Sequence, residues 1–189
     1  REAVRRAEGG ADAGFVATVG LEPTWPSPAF GYIQATSTRA SEGTFVVERF
    51  VEKPSRKEAQ AYVADGYLWN AGMFVMKVAV LQRHLRQLHP LMDQSLTRIA
   101  DSWTHVNQQE VLRSQWQGVE KIAFDHAIAE PVAAQGGVAT AVMSESGWSD
   151  VGDWSDLAPF VPADESPAHL LIDSEGSVVR VGPDKAVVV

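Results

Sequence analysis

Two strands with a capped helix between them are demanded by the stretch from Thr44 to Met76, which restricts the fold more than any other part of the chain. Thr44 to Val51 carries Phe45, Val46, Val47, Phe50 and Val51, the β-branched and aromatic residues that pack well on a pleated surface. The strand has to end by Pro54. Ser55 and Glu58 then stand at capping-box spacing, which predicts a helix opening at Ser55 and stopping near Asp65-Gly66. Leu68 to Met76 reads as a buried strand.

The remainder of the chain supplies similar units. Arg1 to Glu8 is helix-forming and is predicted to be stopped by Gly9-Gly10. Strands are expected over Gly14 to Val19 and Ala29 to Gln34, separated by Pro23, Pro26 and Pro28, which continue neither a helix nor a central strand. Val78, Leu81, Leu85 and Leu88 recur at helical spacing before Pro90, and Leu91, Leu96 and Ile99 predict a second helix. The histidines of this region, His84 and His89, call for no metal. Asn107 and Glu110 repeat the capping spacing ahead of Val111, Leu112 and Trp116. Phe124 to Glu130 reads as a short helix, Gly137 to Met143 as a strand, and a further helix is expected from Asp153. Short apolar runs punctuated by Gly176 and Gly182-Pro183 then suggest a β-rich tail.

Composition narrows the function classes. A net charge of -8 argues against a broad nucleic-acid surface, which needs a basic face to neutralise phosphates. With no cysteine there is no disulfide, thiolate metal site or cysteine nucleophile, and the cytoplasm is the expected location. No apolar run approaches the roughly 20 residues of a membrane-spanning helix. Arg1 opens the chain inside a helical pattern with no cap before it, so the 189 residues are expected to be a piece of a longer protein.

Three short motifs carry chemistry. Glu52-Lys53-Pro54 sets a carboxylate, able to accept from two sugar hydroxyls, beside an ammonium suited to a phosphate. Alone, this pair is a weak signal and reads first as a solvated charge pair at a strand end. Trp69-Asn70-Ala71-Gly72-Met73-Phe74 offers an amide to vicinal hydroxyls and, at Gly72, a close backbone approach; the competing reading puts Trp69, Met73 and Phe74 in the core. Gly147-Trp148-Ser149-Asp150-Val151-Gly152-Asp153-Trp154 holds an aspartate on a tight turn, a hard oxygen ligand that suits magnesium, with Asp153 better placed as a helix cap.

Taken in order, Gly20-Leu21-Glu22-Pro23-Thr24, Phe30-Gly31-Tyr32-Ile33, Phe50-Val51-Glu52-Lys53-Pro54, Trp69-Asn70-Ala71-Gly72-Met73-Phe74, Phe124-Asp125-His126-Ala127-Ile128-Ala129-Glu130 and Gly147-Trp148-Ser149-Asp150-Val151-Gly152 are similar to the sugar-nucleotidyltransferases. Within that family they resemble the mannose-1-phosphate guanylyltransferases, or GDP-mannose pyrophosphorylases. The ordered set is far more specific than any one motif.

The resemblance implies a three-layer α/β nucleotide-diphospho-sugar transferase domain of mixed sheet, its sugar-phosphate part over residues 1–160, and the start of a β-rich, β-helix-like tail over 161–189. It implies GTP and mannose 1-phosphate as substrates, Mg2+ as cofactor, and a second copy of the chain as a candidate partner, with neither nucleic acid nor membrane. By position, Gly31 would offer its backbone to the sugar, Glu52, Asn70 and Gly72 would meet the sugar, Lys53 its phosphate, and Asp150 the metal. Lys53 and Asp150 are the candidate catalytic residues. Asp125 would belong to the pocket wall. The family usually has tyrosine at His126 and methionine or leucine at Ala129; His126 is read as a half-buried replacement for the ring, since this chemistry demands no general base. The family's glycine-rich nucleotide loop and first metal aspartate would lie before Arg1. Another sugar 1-phosphate or base, or a non-catalytic regulator binding sugar nucleotides, are the alternatives that this sequence leaves open.

Overall fold

A computed structural model describes residues 1–144 together with Trp148 and Asp150. The chain divides into two compact units, Arg1–Ser146 and Gly147–Val189. The expected boundary at 160/161, the helix from Asp153 and the β-rich tail lie outside the described residues.

The first unit contains a mixed sheet. Its strands are β1 (Val16–Leu21), β2 (Tyr32–Ser41), β3 (Thr44–Val51), β4 (Leu68–Val75) and β5 (Val138–Met143). They close on themselves in the order β1-β4-β2-β3-β5, with β5 beside β1. The β1–β5 pair is parallel and the other pairs are antiparallel. Every residue of β1 is buried, as a strand covered on both faces requires. On one face, helix α1 (Glu2–Asp12) lays Ala3, Ala7 and Ala11 on Ala17, Val19 and Ala141. On the other, Val16, Ile33, Val47, Phe50, Leu68 and Val138 form a larger cluster with Val80, Ile128 and Val132. Those last three come from helix α3 (Val78–Leu88), a π-helix (Asp125–Ala129) and helix α6 (Glu130–Ala133), respectively.

The helix opened by Ser55 forms as the spacing predicts. In α2 (Arg56–Ala64) the Ser55 hydroxyl accepts from the Glu58 amide at 3.3 Å, and the Glu58 carboxylate accepts from the Ser55 amide at 2.8 Å. Helices α4 (Pro90–Asp101) and α5 (Gln108–Trp116) also stand where the apolar pattern puts them.

Three local expectations fail. Helix α1 runs through Gly9-Gly10 to Asp12, because a Cβ on Gly10 would come within 3.2 Å of the Ala17 Cβ. Close helix–sheet packing there outweighs the roughly 1 kcal/mol that a glycine costs inside a helix. Asn107 makes no side-chain cap to α5; at ψ 12 it lacks the extended conformation of a capping residue. Strand β2 starts at Tyr32 and not at Ala29, and runs on through the polar Thr36 to Ser41. That outer half pairs with β3 across a turn at Gly43, whose φ is +75°. None of it is fully buried, so no apolar alternation marked it.

Candidate functional site

The site forms where β3 ends. Val51 is the last residue of β3 in register with β2, opposite Tyr32, and the chain then turns through Glu52-Lys53-Pro54 into the Ser55 cap. Lys53 holds a φ of +47°, the left-handed region that a side chain occupies at a cost of roughly 1–3 kcal/mol. Among the described residues no other non-glycine does so. The Lys53 Nζ lies 3.0 Å from Glu52 Oε1, and the Glu52 side chain is 13% exposed against 66% for Lys53. The hydrogen bond to Glu52, then its charge, hold the Lys53 ammonium above its ordinary pKa, with Asp125 contributing.

Gly31, Glu52 and Asn70 meet side by side. A Cβ on Gly31 would lie 2.6 Å from Glu52 Oε2 and 3.4 Å from the Asn70 Cβ, so only glycine leaves the carboxylate where it is. The Gly31 carbonyl accepts from the Asn70 amide at 2.8 Å. Asn70, buried near the start of β4, has its side chain fixed: Oδ1 accepts from the Thr18 hydroxyl at 2.8 Å and from the Gly72 amide at 3.2 Å. The single Thr18 proton has a second acceptor in the Met73 carbonyl at 3.0 Å; with Oδ1 turned toward Thr18 and Gly72, the amide NH2 group is what Asn70 can offer a ligand. One of its hydrogens points to Asp125 Oδ1 at 3.5 Å. Gly72 has a φ of +70° with open space around its Cβ position, so its backbone conformation calls for glycine.

Two contributors carried no sequence signal of their own. Thr18 sits inside an apolar strand, and its partner is 52 residues away. Glu130, the last residue of a quoted motif, accepts from the Glu52 amide at 2.9 Å through Oε1 and meets His126 Nδ1 at 3.0 Å through Oε2. His126 is half exposed, and its ring meets this carboxylate. The Glu130 hydrogen bond is the main cause holding the His126 pKa above its ordinary 6.5, with the charges of Glu130, Glu52 and Asp125 adding to it.

Around this polar cluster, Trp69 is buried and packs edge-on against Phe30 and the exposed Trp25, at ring distances of 4.8 and 6.2 Å. Met73 is exposed, whereas Phe74 packs between Phe50 and Phe124, so the core reading holds for Trp69 and Phe74 only. Asp150 belongs to the second unit and is exposed. No group of three or more potential metal-ligating His, Asp or Glu side chains occurs among the described residues. The donor Asp150 presents is a single carboxylate, which fits magnesium as one ligand of an ion that keeps water and phosphate for the rest.

The profile of the nucleotidyl transferases matches residues 1–166. The chain belongs to the nucleotidyl transferase family. This nucleotidyl transferase chain is 35% identical over 162 residues to mannose-1-phosphate guanylyltransferase of Escherichia coli K12, covering 83% of the chain and 33% of that relative. It is 35% identical over 164 residues to the xanthan biosynthesis protein XanB of Xanthomonas campestris strain B100, covering 82% and 32%. The chain thus spans about a third of the length of these curated relatives. Among solved structures, one described as mannose-1-phosphate geranyltransferase from Thermus thermophilus superposes with a TM-score of 0.68 at 31% identity, over 82% of this chain and 43% of that one. One described as mannose-6-phosphate isomerase from Helicobacter pylori, at 24% identity and a TM-score of 0.62, shares the fold over 79% of this chain and 57% of that one.

Proposed function

We propose that this chain forms the sugar-phosphate side of a mannose-1-phosphate guanylyltransferase, within the three-layer domain that the family resemblance implies. The observation that carries the reading is the contact of Gly31, Glu52 and Asn70: a bare backbone, a carboxylate and an amide within reach of one another, with an ammonium at their edge. Carboxylate and amide together suit vicinal hydroxyls, and the cation suits the phosphate of the same molecule.

In the proposed reaction a phosphate oxygen of mannose 1-phosphate attacks the α-phosphorus of GTP. A new P–O bond forms there, the bond from the α-phosphorus to the bridging oxygen breaks, and pyrophosphate leaves with its electron pair. Glu52 and Asn70 orient the sugar, and Lys53 holds the nucleophilic phosphate in line, which removes much of the entropic barrier. Lys53 starts from its pairing with Glu52. Its ammonium is exposed, and a charge-assisted bond to phosphate is worth about 1.5–3 kcal/mol, so a phosphate can draw the lysine from its carboxylate. Magnesium bound at Asp150 would neutralise charge on the reacting phosphates.

The test offers GTP, ATP, UTP and dTTP with mannose 1-phosphate or glucose 1-phosphate to the full-length protein that carries this chain, and follows pyrophosphate. Release with GTP and mannose 1-phosphate above all other pairs is the expected result. Preference for another pair would reassign the substrates, and binding of sugar nucleotide without any release would favour a regulator.

A further inference from the structure

We infer that Glu130 is a positioning residue of the sugar-phosphate site, fixing the Glu52-Lys53 turn through the backbone. The inference rests on the proposed function and adds to it a residue that touches no substrate. At Glu52 the chain has just left the sheet: the paired register ends at Val51, so the Glu52 amide has no ladder partner. Glu130 Oε1 takes that amide at 2.9 Å from 78 residues away, in effect extending the sheet by one hydrogen bond with a side chain. The tie matters because Lys53, next in sequence, is held in the left-handed region and needs its surroundings to keep it there. Released, the turn would relax, and the Glu52 carboxylate would leave its place against Gly31.

Glu130 is itself held. Its second oxygen meets His126 Nδ1 at 3.0 Å, and it opens α6 directly after the π-helix, a form that concentrates at functional sites. The same short segment touches the site twice, since Asp125 at its other end meets the Asn70 amide at 3.5 Å. This one segment therefore contacts both the start of β4, through Asn70, and the end of β3, through Glu52.

The experiment compares the full-length protein with its Glu130→Ala and Glu130→Gln variants, using GTP and the sugar phosphate that the panel selects. Glutamine keeps an oxygen acceptor for the Glu52 amide; alanine removes it. Expected for Glu130→Ala is a KM for the sugar phosphate raised about tenfold, the size of a lost charge-assisted hydrogen bond, with the KM for GTP unchanged. Glu130→Gln should stay within about threefold of the parent, as a backbone acceptor role requires. Glu130→Met, which keeps the length and removes the acceptor, carries the alanine expectation if that variant fails to fold. Parent-like sugar-phosphate KM in the alanine or methionine variant, or equal losses for both substrates in step with thermal stability, would overturn the inference. A parent that uses no sugar phosphate overturns the functional reading, and this inference with it; an active parent with an indifferent Glu130 overturns this inference alone.

Discussion

Gly31 shows how one missing side chain defines the site. Its Cβ position is 2.6 Å from Glu52 Oε2, and the obstructing atom is the end of a flexible side chain, not backbone. Gly31→Ala should therefore leave the fold intact and push the carboxylate aside. A rise of roughly tenfold in KM for the sugar phosphate, with parent-like thermal unfolding and GTP use, is the expected outcome; unaltered sugar-phosphate kinetics would show that Glu52 works from another position. At this scale Glu52, Lys53 and Asn70 were legible as candidates because their residue types suit hydroxyls or phosphate, and Gly31 through the family resemblance alone. Thr18 and Glu130 were not, since each acts through a partner far away in sequence. His126 differs from both: its partner Glu130 stands only four residues on, a spacing at which helical side chains meet.

Elements were legible where their ends carry local chemistry and obscure where packing decides. Helix α2 starts and stops as Ser55, Glu58 and Asp65-Gly66 dictate. Helix α1 ignores Gly9-Gly10 because the sheet beneath it rewards a missing Cβ, which is tertiary information. The π-helix adds a wide turn to what the sequence presents as an ordinary short helix. Helix α3 yields a prediction of its own. His84 is buried near Gly137, and neither ring nitrogen has a hydrogen-bond partner. Burial, and then the Arg83 charge, push its pKa below the ordinary 6.5. The unfolded chain thus binds a proton that the folded one resists, and this contribution to stability is fully present above pH 6.5 and is lost as pH falls from there through the lower folded-state pKa. Each such proton is worth at most about 1.4 kcal/mol per pH unit. His84→Leu should fold, remove a buried unsatisfied group and flatten the fall in thermal stability between pH 7 and pH 5. An unchanged pH slope would show that His84 protonates in the folded state as readily as in the unfolded one.

At the scale of the molecule, the first unit gathers the candidate sugar-phosphate residues, while the candidate metal ligand lies in the second. No helix among the described residues is long and apolar enough to cross a membrane. Asp150 is exposed, so Asp150→Asn costs the fold little and removes the charge that a hard cation needs. Thermal unfolding of the full-length variant should match the parent while magnesium-dependent synthesis of GDP-mannose collapses; near-normal synthesis with the same magnesium requirement would remove Asp150 from the metal. The most direct measurement concerns Lys53, whose left-handed backbone glutamine adopts no less readily than lysine. In the full-length protein, kcat/KM for mannose 1-phosphate should fall roughly ten- to a hundredfold in Lys53→Gln, with GTP binding nearly unchanged, as loss of a charge-assisted phosphate contact requires. Parent-like kinetics for mannose 1-phosphate would leave Lys53 as a solvated partner of Glu52 and contradict the assignment of this site to the sugar phosphate.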